Sequence, residues 1–600
     1  MPMCGIAGYI GDASPSFLKE MLFLMRHRGY DEEIYCHHYD AHIGMNRLAI
    51  MDQSQGLYPM KYKHLQLVYN GEIYNYRDLR LSLQKYGVRF HSSCDAEVIL
   101  PLYERYGTRA FSMLEGMFAI CIFDVAKNSY VLARDKVGEK PLYYFHKGSS
   151  FVFASEMKAL LHHPFVKKQI IPKIFKEYMG YGYNPGAHTI IKDIQKVEPS
   201  SVLQYNHKYN TLTCVHYWKP DDRNHEQSYD NTVNSLDILL RQSVQKRIPT
   251  ESVGCFLSGG IDSSLIAHYI SEQHIKCYTF SVSFPEDTMC DESKYSKYVS
   301  SILGTHHIVV PCTIHDLKQI MPSIGSMVDE PIADPAFLPT FLLSREARKK
   351  VKVVLTGEGS DELFAGYEHY MKLYYAKYLK KIIYELPSSC HSFLFNVAPK
   401  GFLLSWQKLY ERHMRIASDK ELSFLFKKKH FIASHYFSFI DKCGKSDLYQ
   451  TLERDFFYYL PDQLLMKVDK SSMFANLETR CPFLDSSIIS YAFSLSDNWK
   501  IRNWKTKYIL RCVAEKYYTH EFVYRRKHGF SLPLRDWFAK ELYPLLEESV
   551  SVMDFFAPSL DSSYYRKILL EHHERRVDHS QLIWSLYVMV QWLSHNNIYV

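Results

Sequence analysis

The stretch VGCFLSGGIDSS, residues 253–264, joins an apolar run to a glycine turn and then to a helical pattern. The run 253–257 predicts a buried strand, and LIAHYISEQ after the turn predicts a helix. Two glycines allow a tight turn with inward-pointing amide N–H groups, and the helix N-terminus adds the positive end of a dipole. Ser263 and Ser264 add hydroxyl donors. The turn therefore predicts a site for pyrophosphate oxygens.

Asp262 lies in this turn, where a carboxylate would repel phosphate unless a cation stood between them. Asp262 is therefore a predicted magnesium ligand. For a glycine turn on its own, a capped strand–turn–helix connection without any ligand is the alternative. The turn lacks the lysine and the spacing of the motif G-x-x-x-x-G-K-[ST], which excludes a Walker-type ATPase.

Strands and helices alternate around this turn. CYTFSVSF (277–284) and VKVVLTG (351–357) are further apolar strands, with helical patterns between them. This alternation predicts an α/β domain with a parallel sheet, and the residues from 366 onward indicate a mostly helical C-terminal part. The polar run 219–230, KPDDRNHEQSYD, has no apolar period, so we predict a linker region at 206–230.

The first part of the chain, residues 4–205, has a different pattern. Short strand patterns such as CGIAGYIG, HLQLVYNGEIYN, GMFAICIFD, YVLARD and FVFASE are separated by turns. Helical patterns interrupt them at 76–86 and 95–106. This pattern predicts an α+β sandwich.

Length and composition exclude several classes of protein. The 600 residues exceed a single hydrophobic core, so about two or three domains are expected. The net charge of +7 is the small difference between 72 basic and 65 acidic side chains, which does not favour nucleic acid as a partner. Thirteen cysteines without a Cys-x-x-Cys pair fit reduced thiols better than a disulfide frame. With no signal peptide and no run of ~18 apolar residues, we expect a cytoplasmic protein with no membrane partner.

A second loop motif establishes a family resemblance. TGEGSDELFAGY (356–367) follows a strand and carries Glu358, Asp361 and Glu362, which alone could simply cap a helix. SGGIDSS matches the pyrophosphate loop of the ATP-pyrophosphatases, and the two motifs together resemble the synthetase domain of glutamine-dependent asparagine synthetases. Further segments agree in order: DEPIADPAFLPT (329–340), LPDQLLMKVDKSSM (460–473), LETRCPFLD (477–485), WKTKYILR (504–511) and RRKHGFSLPL (525–534).

The N-terminal part resembles the class II glutaminase domain of the same family. The matching segments are NRLAIMD (46–52), NGEIYN (70–75), SSCDAEVI (92–99) and ARDKVGEKPLYY (133–144). The resemblance covers nearly the whole chain and implies an N-terminal-nucleophile αββα sandwich at 4–205. It implies an asparagine synthetase (ATP-pyrophosphatase) domain at 231–600.

The resemblance implies roles in glutamine hydrolysis. The thiol of Cys4 would attack the amide carbon of glutamine, with its own α-amine as general base, because an amine with a pKa near 8 can hold a proton transiently at neutral pH. Asn70 and the backbone N–H of Gly71 would form the oxyanion hole. The glutamine-binding residues would be Arg47 for the carboxylate, Glu72 and Asp95 for the ammonium group, and Asn70 and Gly71.

Taken singly, these residues have ordinary structural explanations. Asn-Gly is a common hairpin turn, Asp95 could cap a helix, and Arg47 could form a surface ion pair. Their joint occurrence with Cys4 favours the glutaminase interpretation. HRGYDEE departs from the family pattern, because Tyr30 stands where proline is usual.

The synthetase half would use ATP and Mg²⁺ to activate a carboxylate as an acyl-adenylate, releasing pyrophosphate. Ammonia, expected to travel through an internal tunnel, would displace AMP. Asp262 and Asp361 would hold magnesium, Glu358 would be the general base, and Lys507 would stabilise the developing charge, with Lys505 as its rival. The predicted ATP-binding residues are Phe256, Ser258, Gly259, Gly260, Asp262, Ser263, Ser264, Val282, Thr356 and Gly357.

Four functions are compatible with the sequence. The first is asparagine synthesis from aspartate, and the second is the same chemistry on another acceptor, such as a cell-envelope sugar or peptide carboxylate. The third is an amide-forming cyclase with a degenerate glutaminase domain, against which the complete glutaminase residues argue. The fourth is a non-catalytic scaffold, which two complete sites disfavour. The expected partners are small-molecule substrates, and the family suggests a homodimer.

Three residues precede the predicted nucleophile in MPMCGIAGYIGD. A cysteine that uses its own α-amine cannot work while that nitrogen is part of a peptide bond. We therefore expect the active protein to begin at Cys4, either because Met3 is the true start and is removed or because residues 1–3 are a short pro-segment.

Overall fold

The computed structural model describes most of the chain. The described residues are 3–11, 13–38, 40–48, 59–223, 228–249, 252–287, 291–385, 405–427, 444–525 and 532–600. Residues 1–2 and parts of the predicted segments 46–52, 219–230 and 525–534 lie outside these ranges.

The N-terminal domain is built on two antiparallel sheets. Its strands are β1 (Met3–Ile10), β2 (Glu32–His38), β3 (Ala41–Leu48), β4 (Met60–Tyr62), β5 (Leu65–Ile73), β6 (Gly116–Asp124), β7 (Ser129–Arg134), β8 (Tyr143–Lys147), β9 (Ser150–Ala154), β10 (Ile194–Lys196), β11 (Ser201–Asn206) and β12 (Thr211–His216). The first sheet has the order β10-β8-β9-β1-β3-β2, and the second has the order β12-β11-β7-β6-β5-β4. Buried side chains such as Ile6 and Val68 fill the space between them.

Helices cover the outer faces of both sheets. They are α1 (Ser16–Leu24), α2 (Tyr76–Gln84), α3 (Ile99–Tyr106), α4 (Ala110–Met113), α5 (Met157–His162) and α6 (Pro172–Tyr181). Leu18 and Met21 of α1 pack on the outer face of the first sheet with Ala7 and Tyr9 of β1, and α2 and α3 pack on the second sheet. The order helix, sheet, sheet, helix confirms the predicted αββα sandwich. Strand β5 is buried along nearly its whole length because both of its faces are covered.

The predicted linker, 206–230, is too long at its N-terminal end. Residues 211–216 form β12, which pairs along its whole length with β11 and so belongs to the sandwich. This edge strand is mostly exposed, so its sequence TLTCVH lacks the alternation of a half-buried strand. The next helix, α7 (Tyr229–Arg247), begins after Ser228, whose side chain accepts a hydrogen bond from the Asn231 N–H.

The C-terminal domain contains a fully parallel sheet. Its strands are β13 (Ser252–Phe256), β14 (Lys276–Ser283), β15 (His306–Pro311), β16 (Val353–Leu355) and β17 (Glu478–Arg480). Their order is β15-β14-β13-β16-β17, and every neighbouring pair is parallel. The chain therefore reverses its direction of progression across the sheet beside β13. In open parallel sheets, ligands bind outside the carboxyl ends of the strands at such a switch point.

Helices form the rest of this domain. After α7 they are α8 (Ile261–Ser271), α9 (Ser293–Leu303), α10 (Ile314–Ile320), α11 (Ile324–Met327), α12 (Phe337–Arg348), α13 (Ser360–Phe364), α14 (Glu368–Glu385), α15 (Trp406–Met414), α16 (Asp419–Leu425), α17 (Asp447–Arg454), α18 (Leu465–Phe474), α19 (Ser486–Ser494), α20 (Asp497–Lys500), α21 (Tyr508–Ala514), α22 (His520–Tyr524), α23 (Leu534–Ala539), α24 (Tyr543–Phe556), α25 (Ser562–His573) and α26 (Ser580–Asn596). A π-helix over Asp455–Leu464 leads into α18. The predicted α/β domain with a helical C-terminal part is confirmed.

Buried charges join the two domains. Arg28 of the sandwich is fully buried and donates to both carboxylate oxygens of Asp469 on α18, at 2.7 and 3.0 Å. Arg28 also donates to Glu156 at 2.9 Å. Lys470, next to Asp469, lies 3.1 Å from the same Glu156 oxygen. Removing one partner from such a network would leave an uncompensated buried charge, so these contacts fix the relative placement of the domains.

Candidate functional site

The first candidate centre lies between the two sheets of the sandwich, at the beginning of β1. Cys4 is fully buried, and its backbone nitrogen donates to Asn70 Oδ1 at 3.0 Å. Because Asn70 lies on β5 of the opposite sheet, this contact joins the two layers at the predicted nucleophile. The backbone carbonyl of Cys4 accepts from Arg28 Nε at 3.4 Å.

The predicted oxyanion hole contains a donor that the protein itself does not use. Asn70 is fully buried, and its Nδ2 has no hydrogen-bond partner among the described residues. An unsatisfied buried donor costs free energy, and such a donor is available to bind an oxygen of a ligand. Gly71 follows with φ of +150°, and a Cβ atom there would lie 2.0 Å from the Met117 carbonyl oxygen. Only glycine therefore fits beside Asn70.

Two buried carboxylates adjoin this centre. Asp95 is fully buried and accepts from the Tyr69 hydroxyl at 2.9 Å and from the Ile73 N–H at 2.6 Å. Burial, reinforced by the charge of Glu72, raises the pKa of Asp95 to about 7. Burial also raises the pKa of Glu72, against the opposing effect of Arg480. A ligand ammonium group would stabilise the ionised forms of both carboxylates.

Arg47 lies directly opposite Cys4 on β3 and is largely buried. Its Nη1 lies 3.2 Å from Glu32 on β2, so a glutamine carboxylate would compete with that side chain. Tyr30, the departure from the family pattern, is about half exposed. Its hydroxyl accepts from Arg348 of α12 at 2.7 Å, so this turn contacts the second domain.

The second candidate centre is a cavity of about 860 Å³ at the carboxyl edge of the parallel sheet. The loops after β13 and β16, two neighbouring strands, both line it. Its lining includes the following predicted ATP-binding residues: Phe256, Ser258, Gly259, Gly260, Asp262, Ser263, Val282, Thr356 and Gly357. Ser264 is the exception, because its side chain is fully buried and is not part of the lining, which does not support its predicted role as a hydroxyl donor.

The glycine turn is held in shape by its own hydroxyl groups. Ser258 Oγ accepts from the Gly260 N–H at 3.2 Å and lies 3.2 Å from Ser263 Oγ. Ser263 Oγ donates to the Gly260 carbonyl oxygen at 3.2 Å. Helix α8 begins directly after the turn, so its N-terminus and its first N–H groups face the cavity edge.

Lys507 connects the two loops of the cavity. Its Nζ lies 2.7 Å from Asp262 Oδ2 and 2.6 Å from Asp361 Oδ1, and 3.1 Å from Ser360 Oγ. Burial alone would lower the pKa of Lys507, but the two carboxylates raise it above its ordinary value. Lys505, the rival candidate, has an exposed side chain. The geometry therefore favours Lys507 as the cation of this centre.

Glu358, the predicted base, lines the same cavity and lies 3.7 Å from Lys467 Nζ. Burial raises the pKa of Glu358, although Lys467 opposes the shift. Lys467 also lies 3.3 Å from Asp334. Glu362, the third acid of TGEGSDELFAGY, is buried and accepts from the Tyr367 hydroxyl, and burial raises its pKa to about 8.

The donor set at Lys507 fits a magnesium ion. Mg²⁺ takes oxygen ligands, typically one or two carboxylates together with waters and substrate phosphates. Asp262 and Asp361 are two such carboxylates, and they converge on one Nζ atom. Among the described residues, no group of three or more His, Cys, Asp or Glu side chains is arranged to hold a metal ion. An ion here would therefore need phosphate or water oxygens to complete its coordination.

Sequence reasoning missed several residues of the cavity. Lys467, Asp334, Arg511 and Arg525 all line it, within or beside motifs that were noted without assigning roles. Gly366 was also missed, although a Cβ atom there would lie 1.7 Å from Asp361 Oδ1 and 2.1 Å from Lys507 Cε. A charged residue inside a recognised motif was the available signal for the first four, and none existed for the glycine.

The fold and the two centres define a class of protein. An αββα sandwich with a cysteine on its first strand precedes a parallel-sheet domain with a phosphate-type loop at its switch point. Residues 3–218 match the glutamine amidotransferase domain family, and residues 235–594 match the asparagine synthase family. The chain belongs to the asparagine synthase family, and its N-terminal domain is of the glutamine amidotransferase type.

Relatives match along most or all of the chain. Asparagine synthetase (glutamine-hydrolyzing) 1 of Bacillus subtilis (strain 168) is 31% identical, with 99% of this chain and 97% of that protein covered. Asparagine synthetase (glutamine-hydrolyzing) 3 of the same strain is 27% identical, with 88% of this chain and 87% of that protein covered. Asparagine synthetase (glutamine-hydrolyzing) 2 of Oryza sativa subsp. japonica is 32% identical, with 62% of this chain and 60% of that protein covered.

A solved structure titled as glutamine phosphoribosylpyrophosphate amidotransferase from B. subtilis covers 59% of this chain and 82% of its own. At 15% identity and a TM-score of 0.28, this likeness is too slight to bear on the fold. No helix in the described part of the chain is both long and apolar enough to cross a membrane.

Proposed function

We propose that this protein makes asparagine from aspartate, using ATP and the amide nitrogen of glutamine, and releases AMP, pyrophosphate and glutamate. The observation that carries the proposal is the presence of two separate centres in one chain: Cys4 beside Asn70, and Lys507 between Asp262 and Asp361. The full-length relatives named as glutamine-hydrolyzing asparagine synthetases support it.

In the first reaction, the Cys4 sulfur forms a bond to the glutamine amide carbon. The α-amine of Cys4 takes the thiol proton and passes it to the leaving nitrogen, so the C–N bond breaks and ammonia departs. Water then cleaves the thioester and gives glutamate. Asn70 Oδ1 lies 3.0 Å from the Cys4 nitrogen, so it would orient that amine.

During this reaction negative charge develops on the amide oxygen. Asn70 Nδ2 and the Gly71 N–H would stabilise it, and the lack of a partner for Nδ2 among the residues that the structure describes supports the assignment. Arg47 would bind the glutamine carboxylate, and Glu72 and Asp95 would bind its ammonium group. A single donor of this kind contributes about 3–4 kcal/mol to transition-state stabilisation.

In the second reaction, a carboxylate oxygen of aspartate attacks the α-phosphorus of ATP and pyrophosphate leaves. Gly259, Gly260 and Ser263 would bind phosphate oxygens, and Lys507 would balance the charge on the departing pyrophosphate. Magnesium held by Asp262 and Asp361 would supply further neutralisation of phosphate charge. Ammonia then attacks the acyl carbon, Glu358 accepts its proton, and AMP leaves. The raised pKa of Glu358 suits it to this role at neutral pH.

The test is product analysis with purified protein, glutamine, ATP and Mg²⁺. With aspartate as acceptor, asparagine, glutamate and AMP should accumulate together. ADP in place of AMP would refute the pyrophosphatase assignment. Amidation of a sugar or peptide carboxylate, with none of aspartate, would establish the alternative acceptor instead.

The α-amine mechanism also requires that residues 1–3 be absent from the active protein. Intact-mass measurement should find a protein that begins at Cys4 whenever glutaminase activity is present. A fully active glutaminase that still carries Met3 would refute this part of the proposal. We further propose a cytoplasmic location and a homodimer with small-molecule substrates only, and light scattering tests the dimer.

A further inference from the structure

Glu72, on the sandwich side, is contacted by an arginine from the other domain. Arg480 lies on β17, and its Nη2 donates to Glu72 Oε2 at 3.1 Å. Both side chains are almost completely buried. The contact bridges 408 residues of sequence. Arg480 lies within LETRCPFLD, a segment that was noted without assigning a role to any residue.

Other bonds fix the orientation of this guanidinium. Nε donates to Glu478 Oε1 at 2.5 Å, and Nη1 donates to the Arg247 carbonyl oxygen at 2.8 Å. Three different nitrogens thus have three different acceptors, and the planar fork leaves only one position for the bond to Glu72.

The charge of Arg480 also bears on the ionisation of Glu72. Burial raises the pKa of Glu72 and Glu478 adds to this rise, while Arg480 acts in the opposite direction. Without the arginine, Glu72 would be buried beside two other acids, Glu478 and Asp95, and would take up a proton more readily. A protonated carboxyl cannot form an ion pair with an ammonium group.

The backbone of Arg480 lies beside the large cavity of the synthetase domain, which is the proposed nucleotide site. The Arg480 carbonyl accepts from the Thr356 N–H at 3.0 Å, and Thr356 lines the large cavity. Arg480 also pairs with Leu355 in the register of β16 and β17. Its backbone therefore supports the synthetase cavity while its side chain reaches the glutamine pocket.

We propose that Arg480 is a positioning residue of the glutamine site, supplied by the synthetase domain, which keeps Glu72 ionised and oriented toward the ammonium group of glutamine. This inference rests on the proposed function. It means that the glutaminase pocket is complete only when the two domains are docked.

The test compares Arg480→Gln and Arg480→Lys with wild type in the full-length protein. Glutamate release from glutamine is measured first, without acceptor, and asparagine synthesis from ammonium is measured separately. R480Q should raise the KM for glutamine by about tenfold or more, the scale of a lost hydrogen bond between charged groups, with a smaller change in kcat. R480K keeps the charge, so its KM for glutamine should lie between the values of R480Q and wild type.

The pH profile distinguishes positioning from general damage. In R480Q the pKa of Glu72 should be higher, so more alkaline pH is needed to ionise it, and the fall of the glutamine KM with rising pH should extend to higher pH than in wild type. Glu72→Gln should raise KM on its own, and adding it to R480Q should cause little further loss, because the two side chains act together. Arg241→Gln removes a partly buried guanidinium that pairs with Glu272 and should leave this KM unchanged.

The outcomes separate the inference from the function on which it rests. Wild type without glutaminase or synthetase activity would contradict the proposed function itself. Active wild type with an unchanged glutamine KM in R480Q, or with equal losses from glutamine and ammonium, would overturn the inference alone. If R480Q fails to fold, R480K decides: an unchanged KM and pH profile would overturn the inference, and a raised KM with normal use of ammonium would support it.

Discussion

The two candidate centres are built in different ways. In the glutamine centre, Cys4 and Asn70 lie on facing strands of one sandwich, 66 residues apart, and a direct hydrogen bond holds them. In the nucleotide centre, Lys507 and Asp262 are 245 residues apart, and they meet in a cavity of about 860 Å³. The residues of the first centre are almost completely buried, whereas the second is a large cavity lined by several loops.

This difference extends to how charge is handled. Asn70 Nδ2 has no hydrogen-bond partner in the described part of the chain, as expected of a group proposed to bind a substrate oxygen. Lys507 is instead paired with Asp262 and Asp361. The proposed oxyanion hole is therefore preorganised, whereas Arg47 in the glutamine centre and Lys507 in the nucleotide centre are paired with carboxylates and must exchange partners when substrate binds.

A substitution of Lys507 should separate the two centres by the largest effect on activity. We expect Lys507→Met to reduce asparagine synthesis from both glutamine and ammonium by roughly 10³-fold, because the departing pyrophosphate loses its cation. Glutamate release should continue, since the sandwich is untouched. The matched control is Lys505→Met at the exposed rival position, which should resemble wild type. Loss of synthesis in K505M with retention in K507M would reverse the assignment.

The next effect concerns the glutamine centre alone. We expect Asn70→Ala to lower the kcat of glutamine hydrolysis by about 10²–10³-fold, the usual cost of removing one oxyanion donor. Synthesis from ammonium should be unaffected. The control is Asn75→Ala in the same motif, because the Asn75 side chain hydrogen-bonds to the Met113 and Glu115 backbone and should affect stability rather than kcat. Equal kcat losses in both variants would argue against the oxyanion role.

Gly366 tests whether the paired charges need their observed spacing. A Cβ atom there would overlap Asp361 Oδ1 and Lys507 Cε, so Gly366→Ala should displace both. We expect synthesis from either nitrogen source to fall about 10- to 100-fold, consistent with the cost of misplacing a catalytic group by about 1 Å. Gly180→Ala is the control, since its nearest neighbour lies 3.8 Å away. Wild-type rates in G366A would show that the pair tolerates displacement.

The smallest effect is the pH dependence of glutamine binding. Asp95, whose burial and proximity to Glu72 raise its pKa to about 7, must be ionised to bind an ammonium group. Its proton is taken up as pH falls, so the KM for glutamine should rise about tenfold between about pH 8 and pH 6. Steady-state kinetics measures this, and Asp95→Asn should raise KM and remove the dependence. A KM that does not change with pH in wild type would contradict the assignment.

Residues inside contiguous motifs could be predicted from the sequence. Cys4 and the Asn70–Gly71 pair lie within strand patterns, β1 and β5, and the glycine turn directly follows the strand pattern of β13. The sandwich and the parallel sheet followed from the same periodic patterns. Edge strand β12 was missed because its exposed side chains do not alternate.

Contacts between the domains could not be predicted. The bonds from Arg480 to Glu72 and from Arg28 to Asp469 each join distant parts of the chain, and a single sequence carries no record of which distant surfaces meet. Which serine after Asp262 lines the cavity could not be predicted either, since Ser263 lines it and Ser264 is buried outside the lining. These features depend on how the elements pack rather than on their local patterns.

The central claim is that the chain holds two separable centres, one that releases ammonia and one that uses it. Cys4→Ala tests this most directly, with asparagine formation measured from glutamine and from ammonium in parallel. The account predicts that synthesis from glutamine falls by about 10³-fold or more, while synthesis from ammonium stays within about twofold of wild type. Continued use of glutamine by this variant, or equal loss with both nitrogen sources, would contradict the account.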